Sequence, residues 1–203
     1  MVANCTKQRF SLKPNPATNP ALSTTTADPS HYLIRANQGH SIKLESSSVL
    51  QPLASPEDYP PRVLHGTYLA FWPAIVAAGG LRRMGRTHVH CSTGTPEEGV
   101  LSGMRKDAEV LVEIDVERSV REGGLKWWRS ENGVLLTEGD GDGVVSSRFF
   151  KLVTGRTQDV GVLWQDGEWV ADLPEGIKVN HPQGKQGRSG RRGGRGQGGK
   201  RGS

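Results

Sequence analysis

At 203 residues, with 34% apolar and 23% charged residues, the chain has the length and composition of one globular domain, or of one domain with an appendage. It contains no run of about 20 apolar residues, so a helical membrane span is excluded, and residues 1–10 lack the basic-then-apolar order of a secretory signal. Cys5 and Cys91 are its two cysteines, too few for a disulfide framework, and the net charge of +5 belongs to one end: residues 185–203 hold seven Lys or Arg and no acid, leaving nineteen basic against 21 acidic residues, or −2, for the rest. These features set the expectation of an intracellular protein, cytoplasmic or nuclear.

In chain order, residues 8–12 and 32–36 read as two strands of a hairpin joined by a long solvated loop rich in Pro, Thr, Ser and Asn. Pro52, Pro56, Pro60 and Pro61 follow, which predicts an extended linker over residues 54–61 and a boundary after residue 53. Residues 62–172 carry the densest apolar pattern. A short helix of about two turns is predicted from Pro73 at its first position, Ile75 and Val76 facing inward and Gly79-Gly80 ending it. Residues 109–116 alternate, with Val110, Val112, Ile114 and Val116 on one face, and predict a half-buried strand. Further strands are expected at 125–129, 134–137 and 144–153, and a hairpin pairs 160–164 with 168–171. Asp140-Gly141-Asp142-Gly143 is a hairpin turn rather than a calcium loop, because the twelfth position from Asp140 is Lys151 where a glutamate is needed. Residues 173–203 are assigned to a tail whose last part alternates Gly with Arg, Lys and Gln and is expected to be disordered.

Two stretches concentrate polar chemistry: residues 34–41, IRANQGHS, and the pair LHGT at 64–67 with GLRRMGRTHVH at 80–90. A phosphate or pyrophosphate needs guanidinium forks together with backbone N–H groups reached past a glycine, and Arg35, Arg86, Gly39 and Gly66 are of those types. Taken singly, each has a bland reading, as a surface ion-pair residue, a turn glycine or, for His65, a turn histidine. His88, His90 and Cys91 invite a metal site, yet at period two the histidines and the cysteine fall on opposite strand faces, and no fourth ligand lies nearby in sequence; no metal is expected.

The three runs, in this order and spacing, resemble the tRNA 2′-phosphotransferase family, as do Ser102-Gly103-Met104-Arg105, Ile114-Asp115-Val116 and residues 129–139, RSENGVLLTEG. The likeness covers about residues 7–153. It implies an α+β protein: a sheet-rich ADP-ribosyltransferase-like domain at 62–172, preceded in residues 1–53 by the terminal hairpin of a winged-helix-like RNA-binding lobe and followed by the disordered basic tail. It further implies a monomeric enzyme whose partners are NAD and RNA, specifically tRNA carrying a 2′-phosphate. The 2′-phosphate passes to NAD as co-substrate, giving 2′-hydroxyl RNA, nicotinamide and ADP-ribose 1″,2″-cyclic phosphate. By resemblance Arg35 and Arg86 match two members of the family's catalytic Arg-His-Arg-Arg tetrad. His65, Gly66 and Thr67 match its NAD-binding His-Gly-Thr element; Ser130 is carried over to the cofactor side, and Gln38 and His40 to the substrate phosphate. The other tetrad members are an adjacent Arg-His pair, and no Arg-His dipeptide occurs in this sequence. Two alternatives therefore stand beside the enzyme: a fragment or impaired relative that binds RNA or NAD without turnover, and an ADP-ribosyltransferase of phosphorylated nucleic-acid ends that stops after the first step. The tail is expected to hold RNA by phosphate contacts. Deleting residues 185–203 should then weaken RNA binding and flatten its dependence on salt, measured by titration at several salt concentrations; an unchanged salt slope would make the tail a solubilising appendage only.

Overall fold

The computed structural model describes residues 5–39 and 50–179, so His40 and the basic run 185–203 lie outside the described residues. In chain order the strands are β1 (Phe10–Pro14), β2 (Tyr32–Ala36), β3 (Gln51–Pro52), β4 (Leu64–Thr67), β5 (Gly80–Arg82), β6 (Val89–Cys91) and β7 (Val110–Ile114). They continue as β8 (Trp127–Arg129), β9 (Leu135–Thr137), β10 (Val144–Ser146), β11 (Phe150–Gly155), β12 (Val162–Gln165) and β13 (Glu168–Trp169). Among the described residues, helices α1 (Trp72–Ala77) and α2 (Val116–Gly123) complete a mixed, sheet-rich α+β architecture with few helices.

β1 and β2 form a separate antiparallel ribbon running from Phe10 opposite Ala36 to Pro14 opposite Tyr32. β1 starts two residues later than the sequence suggests, because Gln8 closes a turn on the Cys5 carbonyl with a φ of 45°. The long loop between the strands is built from side-chain turns: Asn15 accepts from the Ala17 N–H, buried Asn19 exchanges two bonds with the Ser23 backbone, and Asp28 caps a short 3-10 turn at Pro29–His31. Phe10, Leu12 and Ile34 share one exposed face of the ribbon, which turns Ser11 and Arg35, directly opposite each other, to the other face.

The body contains a five-stranded sheet in the order β13-β12-β11-β7-β4 and a four-stranded sheet in the order β3-β8-β9-β6. The alternation read at 110–114 is real: Val110, Val112 and Ile114 are buried with Val153, Phe150, Leu163, Trp127 and Leu135 in the main core. The expected hairpin forms with its register moved by one residue: the tight turn at Asp166-Gly167, both with positive φ, closes β12 on β13 with Gln165 opposite Glu168, so Gln165 ends the strand instead of opening the loop.

Val116 differs from expectation. The strand stops at Ile114, and Asp115 turns into an N-cap, accepting the Arg118 N–H at 2.8 Å, so that Val116 enters the core from the first turn of α2. The expected strand 144–153 is also broken, by a 3-10 turn at Ser147–Phe149 that carries the chain from a pairing with β5 into the five-stranded sheet. Leu50 and Leu53 are buried in the body and Gln51–Pro52 pairs with Trp128–Arg129, so the segment placed with the amino-terminal zone packs on the four-stranded sheet. Residues 173–178, assigned to the tail, pack as well: Leu173 and Ile177 lie against the main core, and Gln158 exchanges two bonds with the Lys178 backbone. Burial of these two apolar side chains favours holding residues 173–178 against the body.

Arg156, in the turn after β11, donates to the carbonyls of Lys106 and Ala108 at 2.9 and 2.6 Å and pairs with Glu97, tying down the loop before β7. The hydrogen bond from Arg156 holds the Glu97 carboxyl down to about 2, from 4.5. A depressed carboxylate stabilises the fold above its unfolded value and loses that contribution as pH falls through the folded one. Glu97→Gln should therefore lower the thermal midpoint at pH 7, and its gap from the parent should close between about pH 4.5 and 2 in a circular-dichroism melt series; a constant gap would detach Glu97 from the acid response.

Candidate functional site at a fork between two sheets

β4 is the edge of the five-stranded sheet and β6 the edge of the four-stranded one. They meet at Leu64 and Ser92, which exchange two backbone hydrogen bonds of 2.8 Å each. An antiparallel ladder would next pair Gly66 with His90. Instead the His90 carbonyl accepts the imidazole of His65, with Nδ1 at 2.9 Å. A carbonyl only accepts, so Nδ1 carries the hydrogen and the tautomer of His65 is fixed. The sheets part beyond this side chain, and by the alternation of strand backbone groups the N–H and C=O of Gly66 point into the opening.

One face of the fork is closed by the loop 102–108. A methyl group on Gly66 would lie 2.4 Å from Met104 Cγ and 2.9 Å from Ala108 Cβ, and one on Gly103 would lie 2.5 Å from the Cys91 carbonyl oxygen. Both positions admit glycine because the loop runs directly over β4 and β6. Just past Met104, the guanidinium of Arg105 donates to the Tyr68 hydroxyl at 3.2 Å and lies over its ring, while that hydroxyl donates to Asp107 at 3.0 Å. A cation thus stands at the far end of β4.

The connection from β5 into β6 supplies the opposite wall. His90 donates from Nδ1 to the His88 carbonyl at 3.0 Å, which leaves Nε2 as a bare acceptor. That atom is buried and has no partner among the described residues. Gly39, at φ +80°, passes beside it: a Cβ there would sit 3.8 Å from His90 Nε2 and 4.0 Å from Arg86 Nη1. Burial first, then the Arg86 charge, pushes the His90 imidazole down to about 4, and burial also lowers His65. Neutral His90 therefore lies beside the exposed guanidinium of Arg86.

Arg35 reaches the body from the ribbon. Its Nη2 donates to Glu131 at 3.0 Å, Ser11 donates to the same carboxylate, and these contacts, Ser11 first, hold Glu131 below the usual carboxylate range. The Nε of Arg35 is buried without a partner among the described residues. Polar contacts seat the segment on the body, where the Lys7 carbonyl accepts from Ser102 at 3.0 Å and Asn132 at 2.8 Å, and within the segment buried Asn37 donates to the Gln8 carbonyl while accepting from Ser11. A hollow of about 460 Å³ opens along this seam, lined by Cys5, Gln8, Ser11, Asn37 and Glu131 among others.

Of the residues singled out by sequence, His65, Gly66 and Thr67 share β4, and Arg86 meets the hairpin segment at Gly39. Arg35 and Ser130 meet a different part of the seam, at the 130–134 turn. Ser130 is 3% exposed, and its hydroxyl donates to Asn132 and accepts the Val134 N–H, so it holds that turn in shape. Gln38 is half-buried between Asn37 and Gly39, and His40 lies outside the described residues. His90, Glu131 and Arg105 lie inside motifs quoted from the sequence, but their contacts at the site emerge only from the geometry. His90 had been weighed as a metal ligand, but His88 packs edge-on against Trp128, Cys91 is a core residue whose thiol burial pushes up, and among the described residues no group of three or more His, Cys, Asp or Glu is set to share an ion.

Comparison with known proteins bears on the same residues. Residues 1–139 match the model of the RNA 2′-phosphotransferase, Tpt1 / KptA family. The chain is 40% identical over 151 residues to tRNA 2′-phosphotransferase 1 of Danio rerio, covering 74% of this chain and 61% of that protein. It is 41% identical over 147 residues to the Homo sapiens protein of the same name, covering 71% and 52%, and 37% identical over 134 residues to tRNA 2′-phosphotransferase of Saccharomyces cerevisiae, covering 64% and 53%. The chain thus spans between 52% and 61% of the length of these relatives.

Gly66→Ala should destabilise the fold by about 1–3 kcal/mol through overpacking against Met104 and Ala108, read as a lowered urea midpoint. Gly85→Ala, where a methyl meets open space, is the control and should leave it unchanged. Equal midpoints for the two would mean the loop over β4 is looser than described.

Proposed function

The chain belongs to the RNA 2′-phosphotransferase, Tpt1 / KptA family, and on that premise we propose that it removes the 2′-phosphate left on tRNA at a splice junction, with NAD as the acceptor. The observation that supports this reading most is the fork and its wall. Arg35 Nε, a donor, and His90 Nε2, an acceptor, are buried and unpartnered among the described residues, at the two ends of the stretch from Arg35 to Gly39. Leaving each unpaired costs about 1–3 kcal/mol. A nucleotide ligand carries acceptors and donors for both.

When bound, NAD supplies the acceptor carbon: a phosphate oxygen of the RNA bonds to the anomeric carbon as nicotinamide leaves with the glycosidic electron pair, then the ribose 2″-oxygen bonds to phosphorus as the RNA 2′-oxygen leaves and takes the proton. In this reading Arg35 and Arg86 hold the phosphate, where charge spreads over several oxygens and guanidinium forks stabilise it most. Glu131 occupies Arg35 until a phosphate, a stronger anion, takes its place. His65 keeps the fork open, Gly66 offers its backbone N–H, and both with Thr67 hold the dinucleotide. Ser130 acts through the turn that presents Glu131, and Gln38 and His40 follow Arg35 on the phosphate side. The chemistry asks for no metal. The sheet-rich body over residues 62–172 is taken as an ADP-ribosyltransferase-like fold, and the ribbon as the end of a winged-helix-like RNA-binding lobe.

A second reading, binding without turnover or arrest after the first step, is favoured by one sequence fact: Arg and His are nowhere adjacent. One assay separates the readings. With NAD and an RNA bearing an internal 2′-phosphate, the proposed activity releases ADP-ribose 1″,2″-cyclic phosphate, arrest leaves ADP-ribosylated RNA, and a binding protein leaves both reactants intact. Arg35→Ala and Arg86→Ala should each lower turnover at least about tenfold, from the loss of a charge-assisted contact, with little change in thermal midpoint; full activity in either removes that arginine from the phosphate site. Arg105→Ala, run in parallel, shows whether the cation at the end of β4 belongs to the same cage.

A further inference from the structure

We infer that His90 recognises a ribose hydroxyl of the bound nucleotide through Nε2, a role that rests on the nucleotide reading of the fork. The imidazole is held from two directions: Nδ1–H donates to the His88 carbonyl, and the His90 carbonyl is itself fixed by His65. It cannot rotate to find a partner without breaking the first bond. Nε2 is therefore a buried lone pair pointed at the gap that Gly39 leaves by lacking a side chain.

The sign of the partner follows. Neighbouring Arg86 and burial both oppose protonation, so Nε2 repels phosphate oxygens and accepts from a donor. A dinucleotide offers sugar hydroxyls and base amines. Arg86 Nη1 and His90 Nε2 both lie within about 4 Å of one point, the Cβ position of Gly39, so the donor must sit close to the RNA phosphate that Arg86 holds, which the proposed reaction bonds to the anomeric carbon of the nucleotide's ribose. Sugar hydroxyls meet that condition and base amines do not. The fork is thus divided, with guanidinium for phosphate and neutral imidazole for hydroxyl.

The test titrates the purified chain with ADP-ribose and with analogues that each lack one ribose hydroxyl. The parent protein should bind one analogue roughly tenfold more weakly, the effect of one lost hydrogen bond to a buried acceptor. His90→Leu should bind ADP-ribose and that analogue within about twofold of each other, while His90→Gln, which keeps an acceptor at similar reach, should retain part of the discrimination. A purely structural role would weaken all ligands alike. Failure of the parent to bind ADP-ribose overturns the nucleotide reading and this inference with it. Binding without discrimination in the parent, or discrimination retained in His90→Leu, overturns this inference alone, and the first of these needs no variant to fold.

Discussion

The site depends on a single hydrogen bond, from the imidazole of His65 to the carbonyl of His90. Two edge strands that have begun to pair at Leu64 and Ser92 would ordinarily continue, since each further rung satisfies two backbone groups. A side chain takes the carbonyl that the next rung would use, and the sheets diverge. The same bond fixes the tautomer of His65, orients the backbone of His90 and leaves the amide of Gly66 without a strand partner. An opening faced by the backbone N–H of Gly66 is thereby made from two ordinary sheets.

The electrostatics follow from that geometry. Burial keeps both histidines neutral, so the positive character comes from the guanidinium groups of Arg86 and Arg35. The charge of Arg35 is answered by Glu131, across a seam between the ribbon and the body. Such a half-exposed pair contributes little to stability and is readily exchanged for another anion.

Much of this architecture is written locally. The helix after Pro73, the alternation at 110–114 and the turn at Asp166-Gly167 each follow from a few neighbouring residues. Where two local signals competed, the sequence reading went astray: the valine alternation ran on through Val116 and hid the capping role of Asp115. The leucines at 50, 53 and 173 were absorbed into polar or proline-rich stretches whose composition outweighed them, although each packs on the body. The site was legible only as a set of residue types. That Gly39 would run beside His90 and Arg86 depends on how a ribbon and two sheets assemble, which no local pattern encodes. Ser130 shows the converse, since its place in a motif was visible while the use of its hydroxyl inside its own turn was not.

The manner in which the ribbon is seated has a mechanical consequence. Its contacts with the body include the Lys7 carbonyl, the Ser11 hydroxyl and the Arg35 guanidinium, while Leu12 and Ile34 are exposed. Water can replace polar contacts of this kind one for one, whereas separating two greasy surfaces would be opposed in proportion to area. The ribbon is accordingly joined to the body by a latch rather than a weld, and a ligand entering along that seam would compete with hydrogen bonds instead of with a hydrophobic core.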